Sequence, residues 1–154
     1  MGNHEVHTRA RGFSAIEIVI VMVMAGLLTA VAVPFIRNST LKSSITGAMS
    51  AIASYHGMAR NASIERGRSA VLVLNAASAS VLVVLRRSGS TAVDTVGRVE
   101  DLDSRFGVSF TTTADSVIFS PRGMGTAASS TTVIVSRRGF ADTLVIAAAG
   151  RLLR

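Results

Sequence analysis

The stretch that decides the fold of this chain lies near its N-terminus, where residues 11–36 read RGFSAIEIVIVMVMAGLLTAVAVPFI. Residues 18–36 form a run of 19 residues without a charge, interrupted only by Gly26, Thr29 and Pro34. As a helix with a rise of ~1.5 Å per residue, this run would cover roughly 28 Å, close to the ~30 Å hydrocarbon core of a bilayer. It is also longer than the apolar region of a cleaved secretory signal, which has ~7–15 residues. We therefore expect a membrane-embedded helix.

Two features at the start of this run are unusual for a simple membrane anchor. Arg11 and Gly12 directly precede the aromatic Phe13, and Glu17 places an acid at the edge of the apolar stretch. A carboxylate inside a bilayer is costly unless it is paired or neutralised. Glu17 is therefore a candidate functional residue, and the alternative is that it lies at the level of the lipid headgroups.

These residues resemble the signal of type IV pilins and type II secretion pseudopilins, in which an aspartyl peptidase in the membrane removes a short basic leader. The resemblance implies that Gly12 precedes the cleaved bond, that Phe13 becomes the N-methylated first residue and that Glu17 is the retained acid. Pro34, which follows Phe13 by 21 residues, matches the helix-kinking proline of that family. The family likeness also implies a single-pass protein of the bacterial inner membrane with its head in the periplasm.

The chemistry of these residues fits those roles. Gly12 has no side chain to obstruct a peptide bond in a protease site. Cleavage leaves an ammonium on Phe13 and a carboxylate on Glu17, four residues apart on one helix face. In a filament, Glu17 of one subunit can neutralise the Phe13 amine of its neighbour, which removes two buried charges together. Pro34 deletes one backbone hydrogen bond and is expected to bend or locally melt the helix.

The rest of the chain predicts an amphipathic helix and then a β-rich head. Apolar residues recur at three- and four-residue steps after Pro34, so we expect one helix over about 13–65. From residue 68 onward the period is two and β-branched residues are frequent, which predicts strands at 70–75, 80–86, 96–102, 107–112, 116–120, 131–136 and 143–148. The expected organisation is a leader at 1–12, a transmembrane helix at 13–36, its amphipathic continuation at 37–66 and a head at 67–154. This is an α+β, type IV pilin-like fold with an antiparallel sheet packed on the helix.

The head has a family likeness of its own. Residues 59–68, 118–123, 133–136 and 150–151 resemble the corresponding segments of the GspH/FimT group of minor pseudopilins and minor pilins. The resemblance implies a structural subunit whose partners are the prepilin peptidase, the membrane and other pseudopilins or pilins. The expected function is that of an H-type minor pseudopilin in a type II protein secretion system.

The alternative function concerns the basic charge of the head. Residues 37–154 hold 14 basic residues against 7 acids, a net of +7 that suits nucleic acid, anionic lipid or an acidic protein. The competing explanation is a GC-rich genome that encodes basic residues as arginine. Arg151 and Arg154 are similar to the C-terminal Gly-Arg-x-Arg motif through which some minor pilins of this group bind DNA for natural transformation. One additional residue separates the two arginines here, which turns their side chains to opposite faces of a strand.

The sequence contains few features of an enzyme. The absence of cysteine excludes thiol catalysis, zinc–thiolate sites and iron–sulfur clusters. His56 is the one imidazole that remains after leader removal, and its place on the helix stripe favours a packed or surface residue. Glu100, Asp101 and Asp103 have oxygen ligands for Ca²⁺ but lack a complete ligand pattern, so a solvated turn is favoured. We expect neither catalytic residues nor a metal, cofactor or small-molecule substrate.

The third alternative for the whole protein is a single-span membrane protein in which the prepilin-like motif is fortuitous.

Overall fold

The architecture is one long helix followed by eight short strands. The computed structural model describes residues 13–87 and 92–153. Helix α1 spans Ala15–Arg66, so the predicted helix is confirmed, with its start two residues later and its end one residue later than expected. It is followed by β1 (Ala70–Asn75), β2 (Ser80–Arg86), β3 (Val93–Asp101), α2 (Leu102–Phe106), β4 (Ser109–Thr112), β5 (Ser116–Phe119), β6 (Thr131–Arg137), β7 (Phe140–Ile146) and β8 (Leu152–Leu153).

The chain divides into two units between Asn38 and Ser39. In the first unit, α1 contains an 18-residue window with a mean hydropathy of 2.6, none of which is buried. By length and composition this helix is sufficient to cross a bilayer. The backbone is helical through Pro34, so the chain is not melted there, and the kink at this residue stays a prediction.

The second unit, which we call the head, contains two antiparallel sheets. The first has the strand order β3-β2-β1-β5 and the second β4-β6-β7-β8. In the first sheet Leu72 lies opposite Val83 on one side and Val117 on the other, and all three side chains point into the core. Strands β1 and β2 are apolar almost throughout, and consecutive residues such as Val71 and Leu72 are both buried, so both faces of these strands are largely covered.

The structure departs from the predicted elements in two places: between residues 93 and 108, and near the C-terminus, where β7 covers Phe140–Ile146 in place of the predicted 143–148 and β8 was not predicted. Strand β3 begins at Val93, three residues before the expected start, and the next residues form α2. Asp101 caps this helix by accepting a hydrogen bond from the Ser104 N–H at 2.9 Å, and Gly107 ends it at a φ of 63°. A capping aspartate and a left-handed glycine are the ordinary signals of a short helix, and they override the β-rich composition here.

The core lies between the head portion of α1 and both sheets. The apolar stripe of the helix supplies Ile45, Ala48, Met49 and Ile52, which confirms the predicted amphipathic face. The strands contribute Leu72, Leu74, Val81, Val83, Leu85, Val117, Phe119, Val133, Val135, Leu144 and Ile146. Because these side chains come from five strands in two sheets, the head has a single core that closes on one helix face.

Candidate assembly residues and the basic end of the head

The first candidate residues lie at the start of α1. Phe13 and Ser14 precede the helix, and the Glu17 N–H donates a hydrogen bond of 3.0 Å to the Ser14 carbonyl oxygen. Both Phe13 and Glu17 are exposed. Gly12, the residue expected before the cleaved bond, lies outside the described residues. The pairing of Phe13 with Glu17 between subunits therefore stays a prediction.

His56 lies on α1 in the head and is buried, as the helical stripe predicted. Its Nε2 atom lies 3.0 Å from the Gly150 carbonyl oxygen, and its ring meets the Phe119 ring edge-on with 5.1 Å between centroids. Burial lowers the pKa of His56, the hydrogen bond to Gly150 raises it, and the charge of Arg60 lowers it further. The net direction is downward, so this imidazole is a neutral packing residue that ties the helix to the C-terminal turn.

The C-terminal turn holds Arg151, the first of the two arginines on which the alternative DNA-binding hypothesis depends. Gly150 has a φ of 83°, and the next residue, Arg151, is exposed and accepts a hydrogen bond from the Ala147 N–H at 2.8 Å. Strand β8 then pairs with β7. Arg154 lies outside the described residues, so the predicted separation of the two arginines onto opposite faces is not tested.

A cleft that sequence reasoning did not single out lies where α1 ends. It is lined by Gly67, Arg68, Ser69, Arg86, Arg87 and Pro121, has a volume of about 220 Å³, and is called the arginine corner below. Asp94 lies beside it, with its two oxygens each 3.0 Å from a guanidinium nitrogen, one of Arg68 and one of Arg87. The hydrogen bond from Arg68 is the largest cause that lowers the pKa of Asp94. No local motif marks this arrangement, because Arg68 and Asp94 are 26 residues apart.

Structure comparison identifies the fold. The chain is similar to a crystal structure of the type IV minor pilin FimU from Pseudomonas aeruginosa, with a TM-score of 0.56, 18% identity, and coverage of 78% of this chain and 91% of FimU. It is also similar to the minor pseudopilin EpsH from the Type 2 Secretion System of Vibrio cholerae, with a TM-score of 0.54, 10% identity, and coverage of 70% and 92%. The chain has the type IV pilin-like fold. No family model and no curated protein matches this sequence. The resemblance to minor pilins and pseudopilins is thus confirmed at the level of the fold.

Two of the three predicted acids, Glu100 and Asp101, make hydrogen bonds within the head. The Glu100 carboxylate accepts a hydrogen bond of 2.5 Å from Arg105, and Asp101 is the cap of α2. Among residues 13–87 and 92–153, no group of three histidine or acidic side chains is placed to hold a metal ion. The two acids therefore stabilise α2 and its surroundings.

Proposed function

We propose that this protein is a non-catalytic subunit of a pilus-like filament. The observation that carries the proposal is the exposure of the apolar half of α1, where large side chains from Phe13 to Ile36 are at least 40% exposed. A helix that is apolar on all sides is stable only when lipid or other helices cover it. Lipid covers the helix when it is inserted in the bacterial inner membrane. The helices of other subunits cover it after assembly. The head then lies in the periplasm.

The finer proposal is an H-type minor pseudopilin of a type II secretion system. The fold shared with EpsH supports this branch, and the additional residue between Arg151 and Arg154 argues against a Gly-Arg-x-Arg site. The competing hypothesis is a minor type IV pilin that binds DNA, and the fold shared with FimU is equally compatible with a pilus subunit. Both branches require a prepilin peptidase, other pilins or pseudopilins, and the membrane as partners.

The charge of Glu17 provides the test of filament assembly. Glu17→Val should leave membrane insertion and leader cleavage intact, because it makes the segment more apolar. It leaves the Phe13 ammonium of a neighbouring subunit buried without a partner, at a cost of ~3–5 kcal/mol. We expect recovery of the protein together with other pilins or pseudopilins, after cross-linking in membranes, to fall by roughly a hundredfold or more.

Glu65→Val is the matched control, since Glu65 is an exposed acid on the same helix but lies in the head. It should leave incorporation unchanged. Membrane fractionation and the mass of the mature chain show whether each variant is inserted and processed. Normal incorporation of Glu17→Val, measured beside the Glu65 control, would contradict the proposed role of the charge pair.

A further inference from the structure

The charges of the head are divided between its two ends. Strand pairing places Ala70 opposite both Leu85 and Phe119, and the Gly125 N–H donates to the Ala149 carbonyl oxygen. The end of α1, the start of β3, the turn after β5 and the C-terminal turn therefore lie at one end, which we call the basic end. Its charged residues are seven arginines and two acids, a net of +5: Arg60, Arg66, Arg68, Arg86, Arg87, Arg122, Arg151, Glu65 and Asp94.

The opposite end of the head is close to neutral. It contains the turn between β1 and β2, the helix α2 and the hairpin of β6 and β7, and Arg137 at that hairpin donates to Ser44 of α1. Among the described residues, four basic residues and five acids lie here, a net of −1: Lys42, Arg105, Arg137, Arg138, Glu100, Asp101, Asp103, Asp115 and Asp142. Arg98, inside β3, lies between the two ends and is counted at neither. A uniform genomic bias toward arginine explains which basic residue is used but not where in the fold it lies.

The arginine corner at the basic end is built to hold carboxylates. Arg68 is held in place by its Nε–H, which donates to the Arg86 carbonyl oxygen at 3.0 Å, and by its contact with Asp94. Its Nη2 atom is buried and has no hydrogen-bond acceptor among the described residues. The carboxylate of Asp94 contacts the guanidinium groups of both Arg68 and Arg87, so the site binds one carboxylate within the chain itself. The side chains of Arg86 and Arg87 are exposed beside it and provide further donors.

The free edge of a sheet begins at the same place. Strand β3 is the last strand of its sheet, and in the part of the chain that the structure describes no strand pairs with its outer side. Strand β3 starts at Val93, which pairs with Arg86 of β2. The side chains of Val93 and Val99 are exposed, at 52% and 54% respectively. A sheet edge offers unpaired backbone N–H and C=O groups to an extended polypeptide, and exposed apolar side chains add contact area.

We propose that the arginine corner and the edge of β3 together bind an extended, acidic segment of a partner protein. The segment adds as a strand beside Val93–Val96 and directs its carboxylates toward the exposed guanidinium groups of Arg86 and Arg87. A polypeptide fits both features, whereas a nucleic acid can use the arginines but cannot continue the backbone ladder of β3. This inference goes beyond the proposed function, since it requires no filament.

The test uses the full chain in non-ionic detergent micelles with synthetic probes. One decapeptide alternates threonine and glutamate, a second replaces glutamate by glutamine, and a single-stranded DNA has a similar number of charges. At ~0.15 M salt, where surface attraction is largely screened beyond ~8 Å, the glutamate peptide should bind about tenfold or more tightly than the glutamine peptide. Hydrogen exchange at the amides of β3 should slow when the glutamate peptide binds.

A pair of double variants separates a specific site from net charge. Arg86→Gln with Arg87→Gln should weaken peptide binding by about tenfold or more, while Lys42→Gln with Arg138→Gln, two basic residues at the opposite end, should leave it nearly unchanged. Glu17→Val should also bind normally, which distinguishes this inference from the filament proposal. Equal losses in the two double variants, unchanged exchange in β3, or tighter binding of DNA than of the glutamate peptide would each overturn the inference.

Discussion

The Nε2 atom of His56 lies 3.0 Å from the carbonyl oxygen of Gly150, which joins the middle of the head helix to a turn 94 residues later in the sequence. The imidazole also packs edge-on against Phe119, at an interplanar angle of 82°. This contact holds the C-terminal turn, and with it Arg151 and β8, against α1. The position of the basic end of the head therefore depends on a neutral, buried histidine.

Protonation of His56 should destabilise the head. Burial lowers the pKa of His56 in the folded state below its usual value of about 6.5, so the unfolded chain binds more protons at mildly acidic pH. The contribution to stability is complete above about pH 6.5 and is lost as the pH falls through the folded pKa. Thermal unfolding of the full chain, followed from pH 7.5 to about pH 5, should show this fall. Asp94 titrates in a lower range, because its own pKa is lowered.

Replacement of His56 should remove that pH dependence. His56→Phe keeps a ring in the site but leaves the Gly150 carbonyl oxygen without this donor, so stability at pH 7.5 should fall by about 1 kcal/mol. Tyr55→Phe is the matched control, because it removes a hydrogen bond of 3.0 Å from Tyr55 to the Arg98 carbonyl oxygen and leaves His56 in place. That variant should be similarly destabilised and keep the wild-type pH profile. A pH profile that survives in His56→Phe would refute the assignment.

Two glycines should respond in opposite directions to alanine. A Cβ on Gly125 would lie 2.5 Å from both the Ala148 carbonyl oxygen and the Gly150 nitrogen, and backbone atoms cannot easily move away. Gly125→Ala should therefore cost roughly 1–3 kcal/mol, in the range of overpacking. A Cβ on Gly57 meets nothing within 4 Å, so Gly57→Ala should stabilise α1 by up to ~1 kcal/mol. Chemical denaturation of both variants measures the difference, and a harmless Gly125→Ala would contradict the close approach of the two turns.

Processing of the leader should leave Phe13 as the first residue. In a host that contains a prepilin peptidase, the mature chain should start there and carry one added methyl group on its amine. Intact mass and the N-terminal peptide of the purified protein measure both changes. Gly12→Val should block cleavage, since the side chain obstructs the peptide bond, whereas Gly26→Val is the control within the apolar run. A mature chain that retains residues 1–12, or one cut near Ala32, would exclude the prepilin hypothesis.

Salt dependence should distinguish the secretion branch from the DNA-binding branch. Residues 37–154, with a net charge of +7, attract DNA at low salt whatever their function, so weak binding decides nothing. A pseudopilin should release duplex DNA near ~0.15 M salt, whereas a receptor should retain it with a log–log slope of roughly −0.9 for each phosphate contact. In a receptor, Arg151→Gln with Arg154→Gln should reduce that slope by about two. We expect release, and micromolar binding that only these two substitutions abolish would reverse the choice of branch.

The sequence alone predicts α1 and seven of the eight strands, but neither α2 nor β8. The uncharged run at 18–36 and the three- and four-residue steps after it predicted α1, because helix length and periodicity are local properties of the chain. Strands β1 and β2 were predicted with their observed ends, since β-branched residues alternate between clear turn signals. The short helix α2 is not among the predicted elements although Asp101 and Gly107 are recognisable cap residues, because a strand at 96–102 and a solvated turn at the acids are predicted there.

Only the tertiary structure decided how these elements meet. An alternating strand carries the same pattern whichever strand it pairs with, so the sequence could not show that the strands divide into two sheets, that β5 lies beside β1, or that β3 is left at an edge. The contact of His56 with Gly150 and the shared carboxylate of Asp94 depend on the same long-range pairing. The concentration of seven arginines at one end of the head likewise arises only when four separate turns are brought together, because charge in a linear sequence has no position in space until the sheets form.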